Sequence, residues 1–189
     1  MSTISLKSAV FPRTSVLNSA LLVATGTAFI AGLAQIALPI PGSPVPVTGQ
    51  TLAVLLIGTS YGATLGLTTL LTYLLIGIAG APVFAGGGHG IERLTGATGG
   101  YIIGMVVASL VTGALAGRRW DQRFRTALPT MLLGNAIIFS FGVFWLHSVT
   151  GKSWSWTLSA GFTPFILGEV LKIAIAGTSL PLVWRKIQK

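Results

Sequence analysis

TGQTLAVLLIGTSYGATLGLTTLLTYLLIGIA, residues Thr48–Ala79, runs for 32 residues without a charged side chain. As one α-helix it would be about 48 Å long at 1.5 Å per residue. The hydrocarbon core of a bilayer is only about 30 Å thick. The run must therefore break, and Gly58-Thr-Ser-Tyr-Gly62 is where glycine allows it, giving a short helix over 48–60 and a longer one over 62–79. Working outward, further apolar runs occupy 16–38, 97–116, 127–149 and 161–184. The sequence predicts six transmembrane helices in a single membrane domain, 1–189. Lys7 and Arg13 precede the first run as in a signal peptide, but the run is too long for one and other spans follow, so it reads as an uncleaved helix. Pro39, Pro41, Pro44 and Pro46 end it in an extended stretch.

Composition agrees with this reading. Only 8% of the 189 residues are charged, against about 25% in globular domains. Hydrophobic residues make up 52% and the mean hydropathy is +0.82, which excludes a water-soluble monomer. Absence of cysteine excludes disulfides, thiolate metal sites and a thiol nucleophile. Twelve basic against three acidic residues leave a net charge of +9. No basic stripe interleaved with aromatics points to nucleic acid.

The basic residues decide orientation instead. With six spans and the N-terminus inside, Lys7, Arg13, Arg118, Arg119, Arg123, Arg125, Arg185, Lys186 and Lys189 are cytoplasmic, while the outer loops hold only Arg93 and Lys152. Treating 48–79 as one span would put most of them outside, against the positive-inside rule. Both termini are thus expected inside. No internal repeat of the transporter type is evident. Six helices without a second half suggest one component of a larger machine.

Two motifs are dismissed on chemistry. Gly58-Thr-Ser60-Tyr-Gly62 fits the G-x-S-x-G nucleophile pattern, and an intramembrane serine hydrolase is the remote alternative. Its base would have to be His89 or His147, which this topology puts on the opposite face, about 30 Å away. Gly151-Lys152-Ser153 resembles the end of a phosphate-binding loop, but Leu146 stands where the leading glycine is required.

Glu169 and Lys172 are the sharpest signal. They lie three residues apart in an apolar helix, hence on one face. Intramembrane charges face the bundle interior and need partners. Two readings stand: a mutual ion pair that pins the helix, or a ligand pocket with one anionic acceptor and one cationic donor. Gln50, after the proline run, either caps its helix or presents an amide to a ligand. Gly86–Gly90 and Gly96–Gly100 flank Glu92 and Arg93, as a flexible loop or as backbone brought close to a ligand. Tyr101 and Trp145 are candidate aromatic walls or interfacial anchors. Asn135, inside the fifth span, must bond something, and a neighbouring helix is the expected partner ahead of other groups. Ala20, Ala24 and Ala28, continued by Gly32, form a small-residue stripe, used for internal packing or for a partner helix.

Taken in order, Pro44–Ala53 (PVPVTGQTLA), Gly86–Gly90 (GGGHG), Thr98–Tyr101 (TGGY), Gly134–Gly142 (GNAIIFSFG) and Pro164–Ile173 (PFILGEVLKI) resemble BioY, the biotin-specific substrate-binding (S) component of energy-coupling-factor (ECF) transporters. The resemblance covers nearly the whole chain. It implies a six-helix S-component fold binding biotin near the outer face, in the inner membrane of a prokaryote. It also implies a transmembrane coupling protein and two cytoplasmic ATPases as partners, with Ala20, Ala24 and Ala28 as the docking stripe. The family's acidic-x-x-lysine motif maps onto Glu169 and Lys172, its loop motif onto Gly86–Gly90, and its G-G-Tyr onto Gly99, Gly100 and Tyr101. Aspartate is common at the acidic position, and His89, Glu92 and Arg93 are unusual in that loop. Arg93 meets the carboxylate of biotin or faces water.

The candidate substrate-binding set is therefore Gln50, Gly87, Gly88, His89, Arg93, Tyr101, Glu169 and Lys172, with no catalytic residue, metal or cofactor. Biotin offers a ureido group, an apolar bicycle and chain, and a carboxylate, and these residue types match it. The expected activity is binding; the expected surroundings are membrane lipid and not nucleic acid. A stand-alone or homo-oligomeric biotin carrier is the main alternative, and an S component for another vitamin a lesser one.

Overall fold

A computed structural model describes residues 5–10 and 15–187. Arg13 and Lys189, counted above with the inner charges, lie outside the described residues.

The described chain is mostly helical: α1 (Leu6–Val10), α2 (Val16–Gln35), α3 (Gln50–Tyr61), α4 (Ala63–Ile78), α5 (Glu92–Thr95), α6 (Gly99–Ala116), α7 (Phe124–Thr150), α8 (Trp154–Gly161) and α9 (Ile166–Ile187). Four stretches are long and apolar enough to cross a membrane: α2, α6, α7 and the α8–α9 run Trp154–Ile187. Helices α3 and α4 are apolar but shorter. The Ser15 hydroxyl starts α2 by accepting from the Asn18 N–H. Beyond α2 the proline stretch is not extended throughout as expected: it turns at Pro41–Gly42, with Gly42 at φ +79° and the Ser43 N–H donating to the Ile40 carbonyl, and folds back as a small ribbon. There β1 (Ala37–Leu38) pairs antiparallel with β2 (Val47–Thr48), so the fold carries one short β element.

Sequence and structure differ at the last expected helix, 161–184. Helix formation begins earlier, at α8, where Ser153 caps by accepting from the Trp156 N–H. Pro164, which has no N–H to donate, then sits in a 3-10 turn, Thr163–Phe165, before α9 starts. Helices α1 and α5, of five and four residues, are too short for hydropathy to reveal.

The break within 48–79 falls at Gly62, with φ +82°, a left-handed conformation that glycine adopts without steric cost. Gly58 has a separate reason: a Cβ there would lie 2.8 Å from Ser109 Cα on α6. The G-x-S-x-G pattern is thus one helix contact and one turn. Similar close approaches, Gly104 on Ile138 of α7 and Gly113 on Ala63 of α4, make α6 the central strut. Ile30, Leu70, Tyr73, Phe84, Met105, Ile138 and Leu146 pack into the main core around it.

Helix α2 is the least enclosed of the long helices, with 17% of its apolar window buried against 61% for α6. Ala20, Ala24 and Ala28 face outward. With Thr68 and Thr72 of α4 they line an open groove. Internal packing on α2 is done by Gly26 instead, set against Thr69 and Tyr61.

Candidate functional site

A cavity of about 530 Å³, counting the solvent at its mouth, lies where α3, α6, α7, α9 and the 80–98 segment converge. Val45, Pro46 and Thr48 come from the ribbon, Gln50 and Thr51 from the first turn of α3, and Phe84, Ala85, Arg93 and Thr98 from the connection between α4 and α6. Tyr101, Ile102 and Met105 of α6, Phe139 of α7, then Phe165 and Glu169 complete the walls.

The polar floor is built around Glu169, which is 5% exposed and sits in the first turn of α9, where the helix dipole favours an anion. Its Oε1 accepts from Lys172 Nζ at 2.7 Å and from the Thr51 hydroxyl at 3.0 Å. Its Oε2 accepts from the same hydroxyl at 2.9 Å and from Asn135 Nδ2. Lys172 donates further to the Thr48 carbonyl and to Thr51 Oγ1. Its three N–H donors are therefore all used within the protein, and it is not among the lining residues. The two readings of this motif are combined: the ion pair exists, and its carboxylate also faces a cavity. It is the one ion pair among the described residues.

Gln50 forms a second polar group. Its Oε1 accepts from the Thr48 hydroxyl at 3.1 Å and its Nε2 donates to the Tyr73 hydroxyl at 2.7 Å. One Nε2 proton remains for the cavity. Arg93 lines the cavity with no carboxylate partner among the described residues. Its guanidinium lies on the backbone of Gly88, where a Cβ would come within 2.5 Å of Nε.

Aromatic rings supply the apolar wall. Tyr101 stacks near Phe165 at 6.4 Å and meets Phe139 edge-on at 5.7 Å, while Phe139 and Phe165 are 5.5 Å apart. The Tyr101 hydroxyl donates to the Gly161 carbonyl at 2.7 Å, so its proton is already used within the protein.

Of the sequence-predicted residues, Gln50, Arg93, Tyr101 and Glu169 meet at this cavity; Gly87, Gly88, His89 and Lys172 stand behind or beside it. His89 is exposed, within 3.4 Å of the Gly87 carbonyl. Trp145 does not line this cavity; its indole N–H donates to the Gly96 carbonyl at 2.9 Å. Asn135 bonds a neighbouring helix as expected, and its partner is the site carboxylate itself. Sequence reasoning missed Thr51, Phe139 and Phe165, although all three fall within the motifs quoted above.

Among the described residues no serine, histidine or cysteine lines the cavity, and Ser60 lies in the last turn of α3, at the end away from Gln50. Fold and site together define a helical membrane protein enclosing a solute-binding cavity. More particularly, the chain belongs to the BioY family, whose sequence model matches residues 5–189. It is 39% identical over 170 residues to biotin transporter BioY2 of Lactococcus lactis, covering 87% of this chain and 90% of that one. With biotin transporter BioY of Thermotoga maritima it shares 34% over 141 residues, 72% of this chain and 79% of the relative. Its fold matches the crystal structure of the S-component for biotin from an ECF-type ABC transporter, with TM-score 0.83 at 23% identity, over 92% of this chain and 95% of the other. The protein is thus a multi-pass membrane protein of a transporter family.

Proposed function

We propose that this chain is the biotin-capturing component of a vitamin uptake transporter, and that the cavity beside Glu169 is its substrate site. The carrying observation is one cavity, in a BioY chain, that brings together an anionic acceptor, an amide donor, a guanidinium with no carboxylate partner among the described residues and three aromatic rings. In this reading Glu169 accepts from the ureido N–H groups and Gln50 donates to the ureido carbonyl. Tyr101, Phe139 and Phe165 hold the bicycle, and Arg93 takes the carboxylate. Lys172, Thr51 and Asn135 fix the orientation of the Glu169 carboxylate. Gly87, Gly88 and His89 shape the loop over the mouth, with Gly88 admitting the Arg93 side chain. Sites built on such hydrogen bonds reject analogues that lack them, because their own polar groups would be left unpaired.

The reading includes a single membrane domain of six spans, with the short α3 and α4 as the second and third and both termini cytoplasmic. In support, the basic residues 118–125 and 185–186 lie at the ends of α6 and α9 remote from the cavity, which then opens outward. The protein would work in the prokaryotic cell membrane with a coupling protein docked on Ala20, Ala24 and Ala28 and two ATPases beneath. Single cysteines placed in the 118–123 and 151–153 loops of this cysteine-free chain read the orientation by sided labelling.

Titration of the purified protein with biotin tests the site. Glu169→Ala should weaken binding at least ~10-fold, the scale of a hydrogen bond to a charged group. Lys172→Ala should weaken it too, and also lower stability by about 3–5 kcal/mol, since a buried carboxylate loses its counter-charge. Unchanged affinity in both variants refutes the assignment.

A further inference from the structure

We propose that Tyr73, a residue outside the cavity, is a positioning residue that locks the Gln50 amide with its donor side towards the ligand, and so sets the polarity the site accepts. The inference rests on the biotin reading of the cavity. Tyr73 is 1% exposed on α4 and does not line the site. Its hydroxyl has one proton, and it donates that proton to the Val83 carbonyl at 3.0 Å. The oxygen is then left as an acceptor, and the Gln50 Nε2 group fills that role at 2.7 Å. On the other side, the Thr48 hydroxyl donates to Gln50 Oε1 at 3.1 Å.

A free glutamine amide turns over readily, because oxygen and NH₂ are similar in size. Here turning it over would place its oxygen against the Tyr73 oxygen. Tyr73 would then have to redirect its proton from Val83 to Gln50, leaving the part-buried Val83 carbonyl without that donor. The Val83 carbonyl therefore breaks the symmetry between the two amide orientations. Tyr73 in turn is held by its edge-on contact with Phe84, at 5.4 Å and 81°. Phe84 itself lies where a Cβ on Gly77 of α4 would clash with the ring. A chain of fixed direction results, Val83 carbonyl accepting from Tyr73, Tyr73 from Gln50, which leaves the second Gln50 proton for a ligand in the cavity that Gln50 lines.

The consequence is a donor–acceptor code. Gln50 offers N–H and requires an acceptor, while Glu169 offers oxygen and requires donors. Biotin meets both demands through its ureido carbonyl and N–H groups. The analogue 2-iminobiotin in its guanidinium form has donors only and fails at Gln50.

Dissociation constants for biotin and for cationic 2-iminobiotin test the lock. Tyr73→Phe should weaken biotin binding about 10-fold, while the preference for biotin over the analogue shrinks by at least that factor. Gln50→Glu replaces the donor with an acceptor and should reverse the preference, a measurement that does not depend on Tyr73→Phe folding well. Adding Tyr73→Phe to Gln50→Ala should cost no further affinity. An equal loss for both ligands in Tyr73→Phe, or a preference unmoved in Gln50→Glu, overturns the lock while leaving the cavity assignment standing. Unchanged biotin affinity in Gln50→Ala overturns the lock together with the Gln50 contact to the ureido carbonyl, whereas the cavity assignment itself falls only with Glu169→Ala and Lys172→Ala.

Discussion

Arg93 and Lys172 show how differently two cations of one site can be employed. Lys172 donates all three protons to protein groups around Glu169, whereas Arg93 reaches the cavity with no carboxylate to meet it among the described residues. A guanidinium stays charged at any physiological pH and binds carboxylates through two parallel N–H groups. If Arg93 reads the biotin carboxylate, Arg93→Ala should weaken biotin by about 10- to 100-fold. The same change should leave biotinamide, which has no carboxylate, almost unaffected. Equal losses for acid and amide in parallel titrations would remove Arg93 from that role. At this scale the sequence was informative wherever a polar group stood against an apolar background. Glu169 in an uncharged helix demands a partner, and so does Asn135. Thr51 gave no such signal, since a helical threonine commonly bonds its own preceding turn, as Thr59 and Thr112 do here. His89 stands in glycine-rich surroundings, where Gly86, Gly87 and Gly90 take positive φ in the loop and Gly88 leaves room for Arg93.

Helix ends fix the site's geometry, and one of them carries a titration. Asp121, in the loop joining α6 to α7, is completely buried and accepts from the Trp184 indole near the end of α9. Burial pushes its carboxyl up to about 6, with the indole hydrogen bond opposing the rise. The folded protein therefore holds the proton more tightly than the unfolded chain. Stability contributed by this group is full below pH 4 and is lost as pH rises towards 6, then stays level. Asp121→Asn keeps an acceptor for Trp184 without the charge. It should raise the melting temperature in detergent at pH 7 and flatten the change seen between pH 4 and pH 6. A wild-type profile that instead rises across that window would contradict the assignment. Among the elements, the α3–α4 break was legible because length forbade a single span and two glycines marked the place. The division of α8 from α9 was not, because hydropathy runs on without interruption from Trp154 to Ile187. Only Pro164 hints at it, and a proline near a helix start is equally an ordinary first-turn residue.

Across the whole molecule, enclosure falls from α6 at the centre to α2 at the edge, and the small-residue stripe lies on that edge. The four-residue spacing of Ala20, Ala24 and Ala28 was visible in the sequence; the face it occupies was not, since spacing fixes which residues share a side and leaves that side's direction to tertiary packing. Directed outward, the stripe leaves a shallow channel along α2 and α4 into which another helix backbone can approach closely. None of the three alanines lines the cavity, so occupying the channel and binding the vitamin involve separate surfaces. A bulky side chain in the channel should separate the two activities. Ala24→Phe is expected to leave the biotin affinity of the isolated protein within about twofold, as for sites with no shared contacts. In cells supplying a coupling protein and ATPases, the same variant should lose biotin uptake. Uptake equal to wild type would mean that the partner docks elsewhere, whereas lost affinity in the isolated protein would mean that α2 helps to shape the cavity.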